Sequence, residues 1–213
     1  MFDLQGKTAI VTGAGSGIGA AIARLFARRN ATVAVADLDA AAAARVVAEI
    51  AQAGGAATAY TCDVSHAASV DALFRSVTGA AGRLDILVNN AGIAHIGTVE
   101  QTTPEDFDRV YRVNVVGVYL CARAAVPIML RQGGGVILNM ASIASLVGLP
   151  DRFAYSMSKG AVLTMTRSIA VDYVTRARSA SAINASIRAV VMSSGFSTST
   201  WSPHRTAAMA WSA

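Results

Sequence analysis

Lysine, cysteine and proline are scarce in this chain. Its 213 residues include two cysteines and four prolines, and of its 18 basic residues only Lys7 and Lys159 are lysines. Cys62 and Cys121 stand in apolar segments without metal-ligand spacing. We therefore expect reduced core thiols and no metal site.

Targeting signals and long apolar runs are also missing. No run of about 18 apolar residues occurs, and the first residues lack the basic and apolar regions of a signal peptide. We expect a cytoplasmic protein with no membrane span. With 54% apolar and 15% charged residues, the composition and length fit one well-buried domain.

Acidic residues are absent from the last part of the chain. All 13 lie between Asp3 and Asp172, whereas residues 174–213 contain four arginines. The formal net charge of +5 therefore comes mainly from this tail, and no basic patch is interleaved with aromatic residues. We expect a small-molecule substrate and no nucleic-acid partner.

Short apolar runs alternate with longer helical patterns. They predict strands at 8–12, 32–36, 57–62, 86–89 and 136–140. They predict helices at 17–29, 67–78, 104–130 and 153–173, and an alanine-rich helix that follows the second strand and ends at about residue 53. This alternation predicts an α/β fold with a doubly wound parallel sheet of the Rossmann type. The strands are apolar throughout, as expected when helices cover both faces.

A glycine-rich turn, Thr-Gly-Ala-Gly-Ser-Gly-Ile-Gly at 12–19, joins the first strand to the first helix. Such a turn lets backbone N–H groups and the helix dipole meet a pyrophosphate without interference from Cβ atoms. Tight helix packing is the alternative use of its glycines, but the strand–turn–helix context favours a dinucleotide. The candidate contacts are Gly13, Ser16, Gly17, Ile18 and Gly19.

A carboxylate, Asp37, ends the second strand 18 residues after Gly19. There it would accept both adenosine ribose hydroxyls and repel a 2′-phosphate. Because no Arg or Lys stands beside it or in the turn, we predict NAD(H) rather than NADP(H) as cofactor. A helix N-cap is the alternative role, but Asp39 suits that role better.

Polar residues also follow the third and fourth strands. Asp63 and Val64 are placed to hold an adenine edge through a carboxylate and a backbone N–H, and Asn90 to lie beside the adenosine ribose. A local Asx-turn is the alternative for each of these side chains.

Tyr155 and Lys159 are spaced by one helical turn, so they share a helix face. An ammonium group beside a phenol favours the phenolate and suits the phenol to general acid–base catalysis near neutral pH. The alternative is an ordinary amphipathic helix with a half-buried tyrosine and a solvated lysine.

Taken together, these motifs resemble the classical short-chain dehydrogenase/reductase family over about residues 4–175. The resemblance rests on the order and spacing of the glycine turn, Asp63-Val64, Asn-Asn-Ala-Gly at 89–92, Asn114, Ser142 and Tyr-x-x-x-Lys at 155–159. It implies hydride transfer between NAD(H) and a secondary alcohol or ketone, and a homotetramer or dimer.

The resemblance also implies a role for each catalytic residue. Tyr155 would exchange a proton with the substrate oxygen, and Ser142 would hydrogen-bond that oxygen. Lys159 would favour the ionised form of Tyr155 and bind the hydroxyls of the nicotinamide ribose, and Tyr155 would also contact the cofactor. Asn114 would hold a water molecule that links Lys159 to solvent.

Two further residues bear on the substrate. Arg152 stands three residues before Tyr155, and similar relatives that oxidise hydroxy acids use an Arg to hold the carboxylate. We therefore expect a sugar, sugar acid or hydroxy acid, with a solvated Arg as the alternative. His95 either lines the pocket or faces water.

The resemblance ends near residue 175. We accordingly predict a catalytic domain at 1–175 and a divergent, poorly ordered tail at 176–213, in which 185–192 is a candidate strand and a frameshift is one hypothesis. Without a substrate lid, the alternatives are a non-catalytic dinucleotide sensor or a damaged enzyme. A 3-oxoacyl-thioester reductase is a third alternative, against which Asp37 argues.

Overall fold

A single parallel sheet forms the centre of the molecule. The computed structural model describes residues 3–179 and 186–194. Their strands are β1 (Thr8–Thr12), β2 (Thr32–Asp37), β3 (Ala56–Thr61), β4 (Ile86–Asn89), β5 (Gly134–Ser142) and β6 (Ser186–Ser194). All neighbouring strands pair in parallel, in the order β3-β2-β1-β4-β5-β6. The order reverses between β1 and β4, which confirms the predicted doubly wound fold.

Helices separate the strands along the chain. They are α1 (Gly17–Ala27), α2 (Ala40–Gln52), α3 (Ala67–Ala81), α4 (Pro104–Tyr111), α5 (Gly117–Arg131) and α6 (Phe153–Ser179). Asp39 caps α2, because its Oδ1 accepts the N–H groups of Ala41 at 2.9 Å and Ala42 at 3.0 Å. The predicted preference for Asp39 as the cap is therefore confirmed.

Two apolar cores cover the two faces of the sheet. Adjacent residues of a strand point to opposite faces, so Ile10 of β1 joins the core with α3 and α5, whereas Val11 joins the core with α1 and α2. The same alternation holds for Leu87 and Val88 of β4. Because both faces are covered, all of β1 and the last three residues of β4 are buried, and these strands read as unbroken apolar runs.

The segment predicted as one helix at 104–130 is divided by a π-helical turn, Arg112–Val116, between α4 and α5. Such turns are frequent at functional sites. The combined helix Pro104–Arg131 is long and apolar enough to cross a membrane by length and composition alone. However, 56% of its most apolar window is buried inside the molecule, as expected for a core helix.

The last described elements extend past the predicted domain boundary at 175. α6 continues to Ser179, and the candidate strand at 185–192 is present as β6, which pairs with β5 as far as Ser194 opposite Ser142. Residues 180–185 and 195–213 lie outside the described residues, so the boundary, the poorly ordered tail and the frameshift remain predictions.

Asp85, directly before β4, joins the starts of three strands. Its carboxylate accepts the Thr8 N–H at 2.9 Å and two bonds from Arg83 at 2.8 and 2.6 Å, with Lys7 at 3.6 Å. Its backbone bonds Thr8 and Val136. Burial opposes ionisation, but the hydrogen bonds from Arg83 and Thr8 and the charges of Arg83 and Lys7 outweigh it. They hold the pKa of Asp85 below its ordinary value.

We expect Asp85→Asn to lower the free energy of unfolding by about 2 kcal/mol at neutral pH, because the charge-assisted bonds are lost. The pKa of Asp85 is lowered on folding, so its contribution is present above the ordinary value of 3.8 and disappears as the pH falls through the lowered pKa. The free energies of unfolding of the parent and the variant, measured with urea, are therefore expected to become equal in acid.

The matched control is Asp108→Asn, which removes an exposed ion pair with Arg112 at 2.7 Å. It is expected to change the free energy of unfolding by less than about 0.5 kcal/mol. Equal effects of the two substitutions would contradict the anchoring role of Asp85.

Candidate active site

The carboxyl ends of the strands around β1 and β4 enclose a cleft of about 440 Å³. Ligand sites typically measure roughly 300–1000 Å³, and ligands bind such sheets where the strand order reverses. The cleft contains eight residues predicted to bind the cofactor: Gly13, Ser16, Gly17, Ile18, Asp37, Asp63, Val64 and Asn90. Its remaining lining comes from Leu38, Cys62, Ala91, Gly92, Ile93 and Val113.

The glycine turn and the uncapped start of α1 face this cleft. Gly13 and Gly17 have φ values of +62° and +53°, a region that only glycine adopts readily. Ser16 is the N-cap of α1, but its side chain does not bond the first turn of the helix. The uncapped N–H groups and the absence of an acid in that turn fit the pyrophosphate of a dinucleotide.

Gly19 serves packing instead of lining the cleft. A Cβ atom there would overlap the Gly13 carbonyl oxygen and lie 2.5 Å from Nδ2 of Asn90. That Nδ2 donates at 3.0 Å to the carbonyls of both Thr12 and Gly13. In return, the Thr12 hydroxyl accepts the Asn90 and Ala91 N–H groups at 3.1 Å. Asn90 thus holds the glycine turn against the loop after β4.

Asp37 is oriented by backbone donors on both carboxylate oxygens. Oδ2 accepts the Gly15 N–H at 2.7 Å, and Oδ1 accepts the Asp39 N–H at 3.0 Å. Each oxygen keeps a lone pair for a ribose hydroxyl. Sequence reasoning missed Arg45 of α2, whose Nη2 lies 3.4 Å from the Gly15 carbonyl.

Asp63 forms the local turn that was the alternative to an adenine contact. Its Oδ1 accepts the N–H and hydroxyl of Ser65 at 2.9 and 2.7 Å, and its Oδ2 lies 3.0 Å from Nδ1 of His66. Burial opposes ionisation, but these bonds outweigh it and lower the pKa of Asp63. The Asp63 N–H lies 3.0 Å from Oγ of Ser69, so the residue is fixed at the cleft wall.

Lys159 reaches both the Tyr155 ring and the carboxyl-terminal part of β5, the strand that ends at Ser142. Lys159 Nζ donates to the Met140 carbonyl at 2.7 Å, two residues before Ser142, and lies 5.7 Å from the Tyr155 ring centroid. The Ser142 oxygen accepts the Ala144 N–H at 3.2 Å, which leaves its own proton available. Lys159 is buried with no carboxylate partner among the described residues, and burial lowers the pKa of its ammonium from 10.5 to about 8.

Asn114, in the π-helical turn, is fully buried and fixed in orientation. Its Oδ1 accepts the Ile93 N–H at 2.8 Å, and its Nδ2 donates to the Ile93 carbonyl and to Oγ of Ser158, both at 2.9 Å. A Cβ atom on Gly92 would lie 3.3 Å from Oδ1 of Asn114 and 3.6 Å from Nζ of Lys159. Asn114 and Lys159 therefore converge on the same glycine of the cleft.

Arg152 and His95 occupy two loops that meet just before α6, the helix that carries Tyr155 and Lys159. Gly97 forms a parallel bridge with Arg152, whose Nη1 donates to the Asp151 carbonyl at 2.9 Å. His95 does not face water. Its side chain is 14% exposed, and Nδ1 lies 3.8 Å from Asp106 at the start of α4.

The family model for short chain dehydrogenases matches residues 7–200. The chain belongs to this family. D-threitol dehydrogenase of Mycolicibacterium smegmatis is 42% identical over 172 residues, which cover 81% of this chain and 66% of that protein. Overall, the chain spans about two thirds of the length of the curated relatives that it matches.

Solved structures of similar proteins contain either nicotinamide cofactor. A short chain dehydrogenase/reductase from Burkholderia phymatum in complex with NAD is 34% identical, with a TM-score of 0.82 over 90% of this chain and 66% of that one. A metagenomic short-chain oxidoreductase in complex with NADP is also 34% identical, with a TM-score of 0.83 over 91% and 84%. A dinucleotide is therefore supported, without a choice between the two forms.

We expect Gly19→Ala to weaken NADH binding at least tenfold, because the added methyl group collides with the glycine turn and displaces Asn90. The measurement is NADH fluorescence titration, together with urea unfolding. The control is Gly79→Ala on the exposed side of α3, where a Cβ atom meets nothing within 4 Å. That variant is expected to bind NADH normally and to gain about 0.5 kcal/mol of stability. Normal NADH affinity in Gly19→Ala would contradict the packing argument.

Proposed function

We propose that this chain is an NAD(H)-dependent dehydrogenase that interconverts secondary alcohols and ketones. The main support is the position of Lys159 beside the dinucleotide cleft, where it reaches both the Tyr155 ring and the strand that ends at Ser142. Its ammonium is buried and has no carboxylate partner among the described residues. Burial of an ammonium group without such a partner is unfavourable, and its one bond to the Met140 carbonyl could be made by a neutral donor. A role in proton transfer, for which the ammonium must lie close to Tyr155, would explain why a lysine is buried here.

The cleft residues fit a dinucleotide. The glycine turn and the first turn of α1 would hold the pyrophosphate, and Asp37 would accept the adenosine ribose hydroxyls. When bound, the nicotinamide supplies or accepts the hydride of the reaction. We propose NAD(H) because Asp37 would repel a 2′-phosphate, and the nearby Arg45 bonds a backbone carbonyl.

Protons are handled by the residues of this chain. Tyr155 would give its phenolic proton to a ketone oxygen, or take the proton of an alcohol. Ser142 would donate a hydrogen bond to the same oxygen, because its own oxygen accepts the Ala144 N–H and its proton takes no part in that bond. The ammonium of Lys159 faces the tyrosine ring. Because its pKa is about 8, gaining or losing a proton near neutral pH costs Lys159 little free energy.

Turnover and binding are tested together. The parent protein is expected to bind NADH more tightly than NADPH in fluorescence titrations and to reduce NAD with at least one alcohol of a panel. Tyr155→Phe is expected to keep its NADH affinity while kcat falls by roughly a thousandfold, as for loss of a general acid–base. NADH binding without turnover in the parent would favour a sensor, and a preference for NADPH would overturn the cofactor assignment.

The substrate that we propose carries several hydroxyls or a carboxylate. Arg152 is partly exposed, three residues before Tyr155, and pairs with no carboxylate among the described residues. Its guanidinium is therefore available for a bidentate bond to an acid. A polyol is in keeping with the similarity to D-threitol dehydrogenase.

We expect Arg152→Ala to lower kcat/KM for hydroxy acids by about 10- to 100-fold, the value of a lost bond to a charged group. For neutral polyols, kcat/KM is expected to change by less than about threefold. Arg75→Ala, at an exposed position of α3, is the control. Equal slowing of acidic and neutral alcohols would show that Arg152 does not bind a carboxylate.

A further inference from the structure

Ser158, between Tyr155 and Lys159 in α6, is a fully buried polar residue with two defined hydrogen bonds. Its hydroxyl donates to the Tyr155 carbonyl at 2.7 Å and accepts from Nδ2 of Asn114 at 2.9 Å. A serine that bonds the carbonyl of its own helix is common. A serine that does so while receiving a second buried bond from another element is a link between the two elements.

The direction of each bond in this link is determined. The Ile93 N–H can only donate, so the side-chain atom of Asn114 that it contacts must be the oxygen, Oδ1. The other atom of the amide group, Nδ2, therefore faces Ser158. Because that nitrogen only donates, the Ser158 oxygen accepts and its proton is directed to the Tyr155 carbonyl. Hydrogen bonds arranged in one direction strengthen one another in a buried setting.

The link connects the cofactor side of the site to the proton-transfer side. Ile93 belongs to the loop after β4 that lines the dinucleotide cleft, and Asn114 bonds both its N–H and its carbonyl. Through Asn114 and Ser158, this loop is joined to the backbone of Tyr155. A shift of α6 along the cleft would have to break one of these bonds.

We propose that Ser158 is a positioning residue that holds the first turns of α6, and with them Tyr155 and Lys159, in register with the dinucleotide cleft. The proposal rests on the proposed function, in which Tyr155 transfers a proton. Ser158 itself touches neither substrate nor cofactor. Its effect is on geometry, and small displacements of a reacting group slow the chemical step strongly.

The first test is Ser158→Ala, which removes only the hydroxyl. We expect kcat to fall about tenfold, while KM for NAD changes by less than about twofold. Ser156→Ala is the matched control, because its buried hydroxyl in the same helix has no hydrogen-bond partner in the described structure. Its kcat is expected to equal that of the parent, and an equal kcat in Ser158→Ala would overturn the proposal.

A double-mutant cycle tests whether Ser158 acts through Asn114. In an Asn114→Ala background the partner amide is gone, so Ser158→Ala is expected to lower kcat by less than about twofold further. A full tenfold decrease of kcat in that background would mean that the hydroxyl acts only through its bond within α6. That result would contradict a role for the bond between Ser158 and Asn114.

The second readout does not depend on turnover. The chain has two lysines, so lysine-selective labelling gives two side-chain NMR signals, which Lys7→Arg assigns. In Ser158→Ala the titration midpoint of Lys159 is expected to move from about 8 toward 10.5, as α6 loosens and its ammonium gains water. An unchanged midpoint contradicts the role of Ser158, whereas absence of turnover in the parent contradicts only the proposed function.

Discussion

Backbone groups at the ends of β1 and β4, and in β5 past its last pair with β4, need hydrogen-bond partners, and polar side chains of the site supply them. The Thr12 hydroxyl accepts two N–H groups of the loop after β4, and Asn90 donates to two carbonyls of the glycine turn. Lys159 donates to the Met140 carbonyl, one residue beyond the last β4–β5 pair. Buried backbone groups left unpaired are strongly unfavourable, so these side chains hold the irregular loops in one conformation.

The same arrangement concentrates polarity where the sheet opens. Elsewhere the two faces of the sheet are covered by apolar cores, in which adjacent strand residues serve opposite sides. The cleft lies at the carboxyl ends of the strands, with uncapped N–H groups at the start of α1. The low local dielectric that lowers the pKa of Lys159 also strengthens the bonds of Asn114 and Ser158. Burial therefore both lowers the pKa of Lys159 and holds Asn114 and Ser158 in fixed orientations.

Sequence patterns predicted the elements well where neighbouring residues decide the structure. The strand at β1, the start of α1 and the cap at Asp39 depend on residues a few positions apart. The π-helical turn was not predicted; it contains Asn114, whose partner Ile93 stands 21 positions away in the loop after β4. Likewise, the proximity of His95 to Asp106 and of Arg45 to Gly15 arises only when separate elements pack.

By itself the sequence determined the alternation of strands and helices, the glycine turn and the spacing of Tyr155 and Lys159, because backbone propensity and side-chain periodicity act locally. Only the tertiary structure decided which groups meet. Ser158 contacts a side chain 44 positions away, and Lys159 a carbonyl 19 positions away. Such pairs have no repeating spacing in the chain, since the packing of α6 on the sheet and on the π-helical turn brings them together.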